Sequence, residues 1–276
     1  MPWRVWVATL NTVHGEDDIS YWLSKDANKG AAAVADGVST TGGGGASYLA
    51  AHGFTLACRI LAREASLNTL RSCLSYVSKL ARESNISDAD TIAEVKRRYY
   101  KECSQGGTPC VTPLDFDTIT LRPLRAAQPQ PRELGAEIPA TTLLGALFAG
   151  NTIALTLAGD GIVMGAGTSK EETWLLWGAL PQFFEGSRLA RFVEIGSGLH
   201  GYPIEMVLRS EPGHVYVLAT DGVDPATLAE TLMDIVLNYP SPVSVGNPAA
   251  YLLRKILEET GGFEDDASLV FIYHTS

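Results

Sequence analysis

The stretch AVADGVSTTGGGGAS, residues 33–47, sets a pattern that recurs along the chain. An apolar run at residues 31–35 predicts a short buried strand that ends at Asp36-Gly37. The four consecutive glycines Gly42–Gly45 favour neither helix nor strand, so they predict a loop whose backbone approaches another group closely. Helical apolar spacing begins at about Ala46 and continues to about Arg63, so a helix should follow the loop.

Acidic residues stand at the ends of apolar strands in five places. A strand end holds a side chain at a fixed point on the rim of a sheet, so several strand ends together bring carboxylates close. Close carboxylates repel one another unless cations lie between them, and hard oxygen ligands suit Mg²⁺ or Mn²⁺. An Asp-Gly pair is also a common hairpin-turn signal, and this alternative applies to each pair taken singly. The five places are Glu16-Asp17-Asp18, Asp36-Gly37, Asp160-Gly161, Asp221-Gly222 and Asp265-Asp266.

Strands and helices come in separate blocks along the chain. Two apolar runs meet at Gly150-Asn151, which predicts a hairpin, and the second run is expected to continue through IVMGAG, residues 162–167. Strands joined by hairpins, with the helices in other segments, predict an α+β fold with antiparallel sheets rather than a βαβ winding. Further strands are predicted at 3–9, 18–23, 205–209 and the C-terminal end, and helices at 67–83, 88–102, 225–238 and 248–260.

Length and composition favour one elaborated domain over residues 1–276, with 46% apolar residues for its core. Within it, residues 104–139 are rich in proline and glycine and predict an inserted loop. The formal charge of −10 argues against a nucleic-acid partner and against an anionic membrane surface. The sequence shows neither a signal-peptide pattern nor an apolar run of about 18 residues, so the expected location is the cytoplasm.

Four cysteines, Cys58, Cys73, Cys103 and Cys110, lie in one stretch of the chain. They form no Cys-x-x-Cys pair, which argues against a zinc site. We expect reduced, partly buried thiols, as in cytosolic proteins. A Cys103–Cys110 disulfide is the alternative in an oxidising or hyperthermophilic setting.

Five segments, taken in chain order, resemble the motifs of the PP2C-type metal-dependent protein serine/threonine phosphatases. The family's motifs are a Glu-Asp pair, a strand ending in Asp-Gly before a glycine-rich turn, a Gly-Thr-Thr strand leading to Gly-Asp-Ser, a Ser-Asp-Gly strand and a closing Asp-Asn-x-Thr strand. The resemblance extends from about Val5 to Tyr273. The matching segments are EDD (16–18), AVADGVSTTGGGGAS (33–47), ATTLLGALFAGNTIALTLAGDG (140–161), VYVLATDGV (215–223) and EDDASLVFI (264–272).

The resemblance implies a four-layer α-β-β-α sandwich, in which two mainly antiparallel sheets are flanked by helices. It also implies a metal centre on three catalytic aspartates. Asp36 is expected to bridge two divalent ions, with the Gly37 carbonyl as a further ligand. Asp221 and Asp265 are expected to bind one of the two ions directly.

Other residues receive supporting roles from the same resemblance. Glu16 and Asp17 are expected to hold metal-bound waters, and Asp160 is expected to bind a weaker third ion. Asp266 stands at the family's asparagine position. Thr141 and Thr142 are expected to be structural, on the strand beneath the site.

The implied activity is hydrolysis of phosphoserine and phosphothreonine in proteins. The implied cofactors are Mn²⁺ or Mg²⁺, as two ions with a weaker third. A water between two divalent ions loses a proton near neutral pH and attacks phosphorus in line. The implied partners are a phosphorylated protein substrate and a cognate serine/threonine kinase.

The chain departs from the family where the phosphate is held. Members often carry an arginine a few residues before the Glu-Asp pair, and NTVHG, residues 11–15, has none. Arg4 and His14 are the two candidates to bind phosphate in its place. Some members carry a histidine after the first Asp-Gly, where this chain has Val38. The alternative function is therefore a pseudophosphatase that binds phosphoproteins or regulates a partner without hydrolysis.

Overall fold

The computed structural model describes most of the chain, with the longest gaps in and before the predicted insertion. The helix predicted at 88–102 is described only at 97–99 and 101, where it is helical, and the rest of it lies outside the described residues. The same holds for the insertion predicted at 104–139, apart from 117–118 and 138–139. The described residues are 2–10, 13–38, 44–84, 97–99, 101, 117–118, 138–168, 173–178, 184–185, 188–189 and 191–275.

Two sheets carry the fold, and their paired strands are antiparallel except for one short parallel pair, Ala8-Thr9 with Asp117-Thr118. Numbered in chain order, the first sheet runs β4 (Asp117–Thr118), β1 (Trp3–Leu10), β16 (Ala267–His274), β15 (Val215–Ala219), β8 (Ile162–Thr168) and β9 (Thr173–Gly178). The second sheet runs β14 (Ile204–Arg209), β7 (Thr152–Ala158), β6 (Leu143–Ala149), β3 (Lys29–Ala35) and β2 (Asp18–Leu23). Smaller sheets join β5 (Ala140–Thr141), β12 (Phe192–Glu194) and β13 (Gly198–His200), and pair β10 (Phe184–Glu185) with β11 (Arg188–Leu189).

The core lies in three apolar layers. Side chains from both sheets, such as Trp3, Phe148 and Tyr216, fill the space between them. Helices α1 (Gly44–Leu61) and α2 (Leu67–Glu83) cover the second sheet. Helices α3 (Pro225–Asn238) and α4 (Pro248–Thr260) cover the first. The predicted α-β-β-α sandwich is therefore confirmed.

The helices of the first sheet begin and end where the sequence predicts. Asp224 caps α3 by accepting the Thr227 N–H at 2.7 Å, and Asn247 caps α4 in the same way. A proline follows each cap, where its missing N–H costs no hydrogen bond. None of the helices in the described part of the chain is long and apolar enough to cross a membrane.

The segment Gly159-Asp160-Gly161 carries the chain from the second sheet to the first. The sequence predicts one continuing run, but β7 and β8 belong to different sheets. Gly159 has φ +120°, and a Cβ there would lie 2.5 Å from the Thr142 side chain. A Cβ on Gly161 would lie 2.8 Å from the Ala219 carbonyl oxygen. The crossing is thus closely packed, and it holds Asp160 at the rim between the two sheets.

A pair of buried histidines lies at the opposite end of the sandwich. His274 is fully buried and stacks on Trp3 with ring centroids 4.2 Å apart, and His214 is 7% exposed. The His274 Nδ1 lies 3.1 Å from the Ser210 hydroxyl, while its Nε2 has no hydrogen-bond partner among the described residues. Burial lowers the pKa of both histidines below the ordinary 6.5.

These histidines are expected to make the fold less stable in mild acid. The unfolded chain binds protons at these histidines more tightly than the folded chain does. The contribution of the two neutral histidines to the free energy of unfolding is therefore complete above pH 6.5 and decreases as the pH drops below it. Each histidine contributes at most about 1.4 kcal/mol per pH unit. His274→Phe keeps a ring against Trp3, so its Tm relative to that of the wild type should rise as the pH drops from 7 to 5. Parallel curves of Tm against pH would contradict this.

Candidate metal centre

Asp36 is held at the end of β3 by the start of the β5–β6 segment. Its N–H donates to the Thr142 hydroxyl at 2.9 Å, and its carbonyl accepts from the Thr142 N–H at 2.9 Å. The Thr141 hydroxyl donates to the same carbonyl at 2.7 Å. Gly37 forms an isolated bridge with Thr141. The two threonines therefore fix the backbone beneath Asp36.

Three aspartates from three strand ends converge at this rim. Asp36 follows β3, Asp160 follows β7 and Asp221 follows β15. One carboxylate oxygen of each lies within 4.8 Å of the others. Asp160, which the family resemblance assigns to a weaker third ion, thus lies in the same close group as Asp36 and Asp221. Asp265, before β16, lies near enough for its charge to raise the pKa of all three.

The electrostatics of the cluster favour a cation. Burial, and then the charges of Asp17 and Asp221, raise the pKa of Asp36 to about 10. Burial, followed by the charges of Asp160 and Asp265, raises the pKa of Asp221 to about 6. Burial also raises the pKa of Asp160. A set of oxygen donors that resists ionisation in the absence of positive charge fits a hard divalent cation.

Asp17 is a buried neighbour of the cluster and contacts Asp36. It is 6% exposed, and burial raises its pKa to about 7, against the effect of a hydrogen bond with Asp36 and hydrogen bonds from Ser268 and Thr220. The Thr220 hydroxyl donates to Asp17 Oδ2 at 3.0 Å. Glu16 is also buried, and its carbonyl accepts from the Ser47 hydroxyl at 2.5 Å. The sequence did not single out Thr220 or Ser268, although Thr220 directly precedes Asp221.

Asp266 fixes the loop that leads to Glu16. Its carboxylate accepts N–H groups from Val13, His14, Gly15 and Glu16, with 2.8 Å to Val13 and 3.0 Å to Glu16. Gly15 has φ +71°, which lets successive N–H groups face one carboxylate. Asp266 therefore has a structural role that the sequence did not predict, and the only signal for it was the glycine beside the acidic motif.

The two candidates for phosphate binding lie in different places. His14 Nε2 is 3.8 Å from Asp265 Oδ1, so this side chain stands at the centre. Arg4 pairs with Tyr273, six positions along β1 from the Leu10–Ala267 pair beside Asp266. At the strand rise this is about 20 Å from the rim. The structure therefore does not bring Arg4 to the rim, and the position of a residue on a predicted strand did not give its distance from the site.

An open cleft of about 800 Å³ adjoins the cluster. It lies between the start of α3 and the loop after α4, and Asp221 and Asp265 form one wall. Gly222, also on this wall, touches the backbone so closely that a Cβ there would lie 2.1 Å from the Asp266 carbonyl oxygen. The cluster is thus reachable from solvent while its backbone is tightly fixed.

The comparison that decides the family is a match to a family model. The model for Protein phosphatase 2C matches residues 11–244, which is most of the chain. The chain belongs to the protein phosphatase 2C family. The match includes Asp36, Asp160 and Asp221 and ends before Asp265. A search of the curated proteins found no match.

Solved structures of phosphatases share the fold along the whole chain. The serine/threonine phosphatase PstP/Ppp of Mycobacterium tuberculosis is 18% identical, with 100% of both chains covered and a TM-score of 0.56. The serine/threonine phosphatase of S. agalactiae is 14% identical, with 98% of this chain and 99% of that chain covered and a TM-score of 0.56. PppA of Pseudomonas aeruginosa is 16% identical, with 99% and 98% covered and a TM-score of 0.52. At these identities the likeness shows the protein phosphatase 2C fold.

Proposed function

We propose that this protein phosphatase 2C member hydrolyses phosphoserine and phosphothreonine in proteins with divalent metal ions. The observation that carries the proposal is the convergence of Asp36, Asp160 and Asp221 within 4.8 Å. Family membership agrees with it, because metal-assisted phosphate hydrolysis requires a cluster of carboxylates that binds divalent ions.

The donor set fits Mn²⁺ or Mg²⁺, and a structure of the PstP catalytic domain with a TM-score of 0.54 is described as a complex with 2 manganese ions. We assign Asp36 and the Gly37 carbonyl to two ions, with Asp221 and Asp265 on one of them. Glu16 and Asp17 are assigned to the waters of those ions, and Asp160 to a third, weaker ion. When bound, divalent ions lower the pKa of water and neutralise charge on phosphoryl oxygens.

The protein's own groups position the substrate. The cleft beside Asp221 and Asp265 admits a peptide segment to the cluster. His14 Nε2 lies 3.8 Å from Asp265, which lines this cleft, and would donate a hydrogen bond to a phosphoryl oxygen in place of the arginine that NTVHG lacks. Its loop is held by Asp266, which keeps the donor in place. The substrate is a phosphoprotein, and a serine/threonine kinase that forms it is the proposed functional partner.

A second candidate function is a pseudophosphatase. It is favoured by the lack of an arginine among residues 11–15 and by the position of Arg4 far from the rim. Such a protein binds phosphoproteins at the same cleft without turnover.

Hydrolysis of a phosphothreonine peptide distinguishes the two. Phosphate release is measured with Mn²⁺, with Mg²⁺ and with EDTA. Metal-dependent release that EDTA abolishes supports the phosphatase. Peptide binding with no release in any condition supports the pseudophosphatase and overturns the first proposal.

The Thr220 hydroxyl is expected to support metal binding through Asp17. Thr220→Val keeps the side-chain shape and removes the hydrogen bond that this hydroxyl donates to Asp17 and the one it accepts from the Ser268 N–H, so Mn²⁺ affinity should fall about ten-fold in calorimetry. Thr156→Val is the matched control, because the buried Thr156 hydroxyl has no hydrogen-bond partner among the described residues. Equal affinities for the two variants would show that the Thr220 hydroxyl does not support the centre.

A further inference from the structure

Two cysteine side chains meet in the helical layer, outside the metal centre. Cys58 lies on α1 and Cys73 on α2, and both are free and fully buried. Their Sγ atoms are 2.8 Å apart. Non-bonded carbon atoms normally rest at about 3.5–4.0 Å, so the two sulfurs lie closer than an ordinary van der Waals contact. A small further approach of the sulfurs is enough to form a bond.

We propose that Cys58 and Cys73 form a reversible disulfide that ties α1 to α2. The site is separate from the metal centre. The start of α1 adjoins the metal centre, because Ser47 donates to the Glu16 carbonyl there. Cys58 lies 14 residues beyond Gly44, the first residue of this helix, which is roughly 20 Å farther along the helix axis. The inference does not depend on the proposed hydrolysis.

Access to the buried pair comes from the end of α1. Cys58 is in the last turn of this helix, which ends at Leu61, and its carbonyl accepts the Ala62 N–H at 2.8 Å. Ile60 and Leu61 in the same turn are 53% and 45% exposed. Helix ends open at little cost in free energy, so a small oxidant reaches Cys58 without global unfolding. Burial raises the pKa of the Cys58 thiol, so the closed state is unreactive and opening controls the rate.

The chemistry requires a two-electron oxidant, and hydrogen peroxide supplies it. In the opened turn the Cys58 thiol loses its proton, and its sulfur attacks one peroxide oxygen. The S–O bond forms, the O–O bond breaks and hydroxide leaves, taking up the thiol proton as water. The Cys73 sulfur then attacks the Cys58 sulfur as the turn closes. The S–S bond forms, the S–O bond breaks, and the Cys73 proton leaves with hydroxide as a second water.

The test uses the full chain with Cys103→Ser and Cys110→Ser, so that only the pair remains. After peroxide treatment at a temperature well below Tm, the intact mass should fall by the mass of two hydrogen atoms. Tryptic peptides 30–59 and 72–79 should be joined, and dithiothreitol should separate them. The oxidised protein should melt about 6 °C or more above the reduced protein, because the bond closes a loop of about 15 residues.

Several results would overturn the proposal. These are an unchanged mass with both cysteines open to alkylation, a gain of oxygen on either cysteine without linkage, or linkage that forms only in denaturant. Cys73→Ser in the same background is the control, and it should show no loss of two hydrogen atoms. If the double variant does not fold, peptide mapping of the wild-type chain gives the same readout.

Discussion

Asp36→Asn should reduce hydrolysis of a phosphothreonine peptide by about 1,000-fold or more, because it removes one of the three converging carboxylates. The substitution keeps the size of the side chain and leaves the backbone hydrogen bonds to Thr141 and Thr142 in place. Initial rates with saturating Mn²⁺ measure the effect. Asp234→Asn on α3 is the control, because Asp234 lies outside the cluster, and it should keep the wild-type rate.

The same substitution should stabilise the metal-free protein. Folding raises the pKa of Asp36 from 3.8 to about 10, so its contribution to stability is present below pH 3.8 and is lost as the pH rises towards 10. Asparagine removes this loss. In EDTA, the Tm of Asp36→Asn should exceed that of the wild type, and the difference should grow from pH 5 to pH 8. A lower Tm for the variant at pH 8 would show that the Asp36 carboxylate does not destabilise the metal-free fold.

Gly222→Ala should both destabilise the fold and disable the centre. The added Cβ would lie 2.1 Å from the Asp266 carbonyl oxygen and must displace backbone. We expect a loss of about 3 kcal/mol or more in the free energy of unfolding. Because Gly222 lies beside Asp221 and contacts the Asp265–Asp266 backbone, a shift of the order of 1 Å there should also lower the rate about 100-fold.

Gly262→Ala is the matched control for this prediction. Gly262 lines the same cleft, and a Cβ there would meet nothing within 4 Å. Urea unfolding and peptide hydrolysis of both variants measure the difference. Near-wild-type stability in Gly222→Ala would contradict the prediction. It would mean that the backbone shifts easily at this contact, so that the tight packing does not fix the position of the metal centre.

The strands and helices could be predicted from the sequence because their signals are local, whereas the four-layer arrangement was implied only by the resemblance to the family. Proline after a capping residue marks the start of α3 and α4, and the hairpin at Gly150-Asn151 shows as two apolar runs around a turn. The change of sheet at Gly159–Gly161 leaves no such mark, because an apolar run looks the same whether it continues in one sheet or crosses to another.

In the metal centre, too, local features could be predicted from the sequence and long-range contacts could not. Asp36, Asp160 and Asp221 could be selected because each lies within two residues of the end of a buried strand. The contacts that hold them join residues far apart in the chain, such as Thr220 with Asp17 and Asp266 with the N–H groups around Gly15. No spacing rule connects such positions.

The central claim is that the strand-end aspartates form a site for divalent cations. Calorimetric titration of the metal-free protein with Mn²⁺ tests it most directly, beside Asp36→Asn and at pH 6, 7 and 8. We predict binding to the wild type that tightens as the pH rises, because raised carboxyl pKa values mean that metal must displace protons. Asp36→Asn should bind at least about ten-fold more weakly. Absence of binding to the wild type, or equal binding to the variant, would contradict the claim.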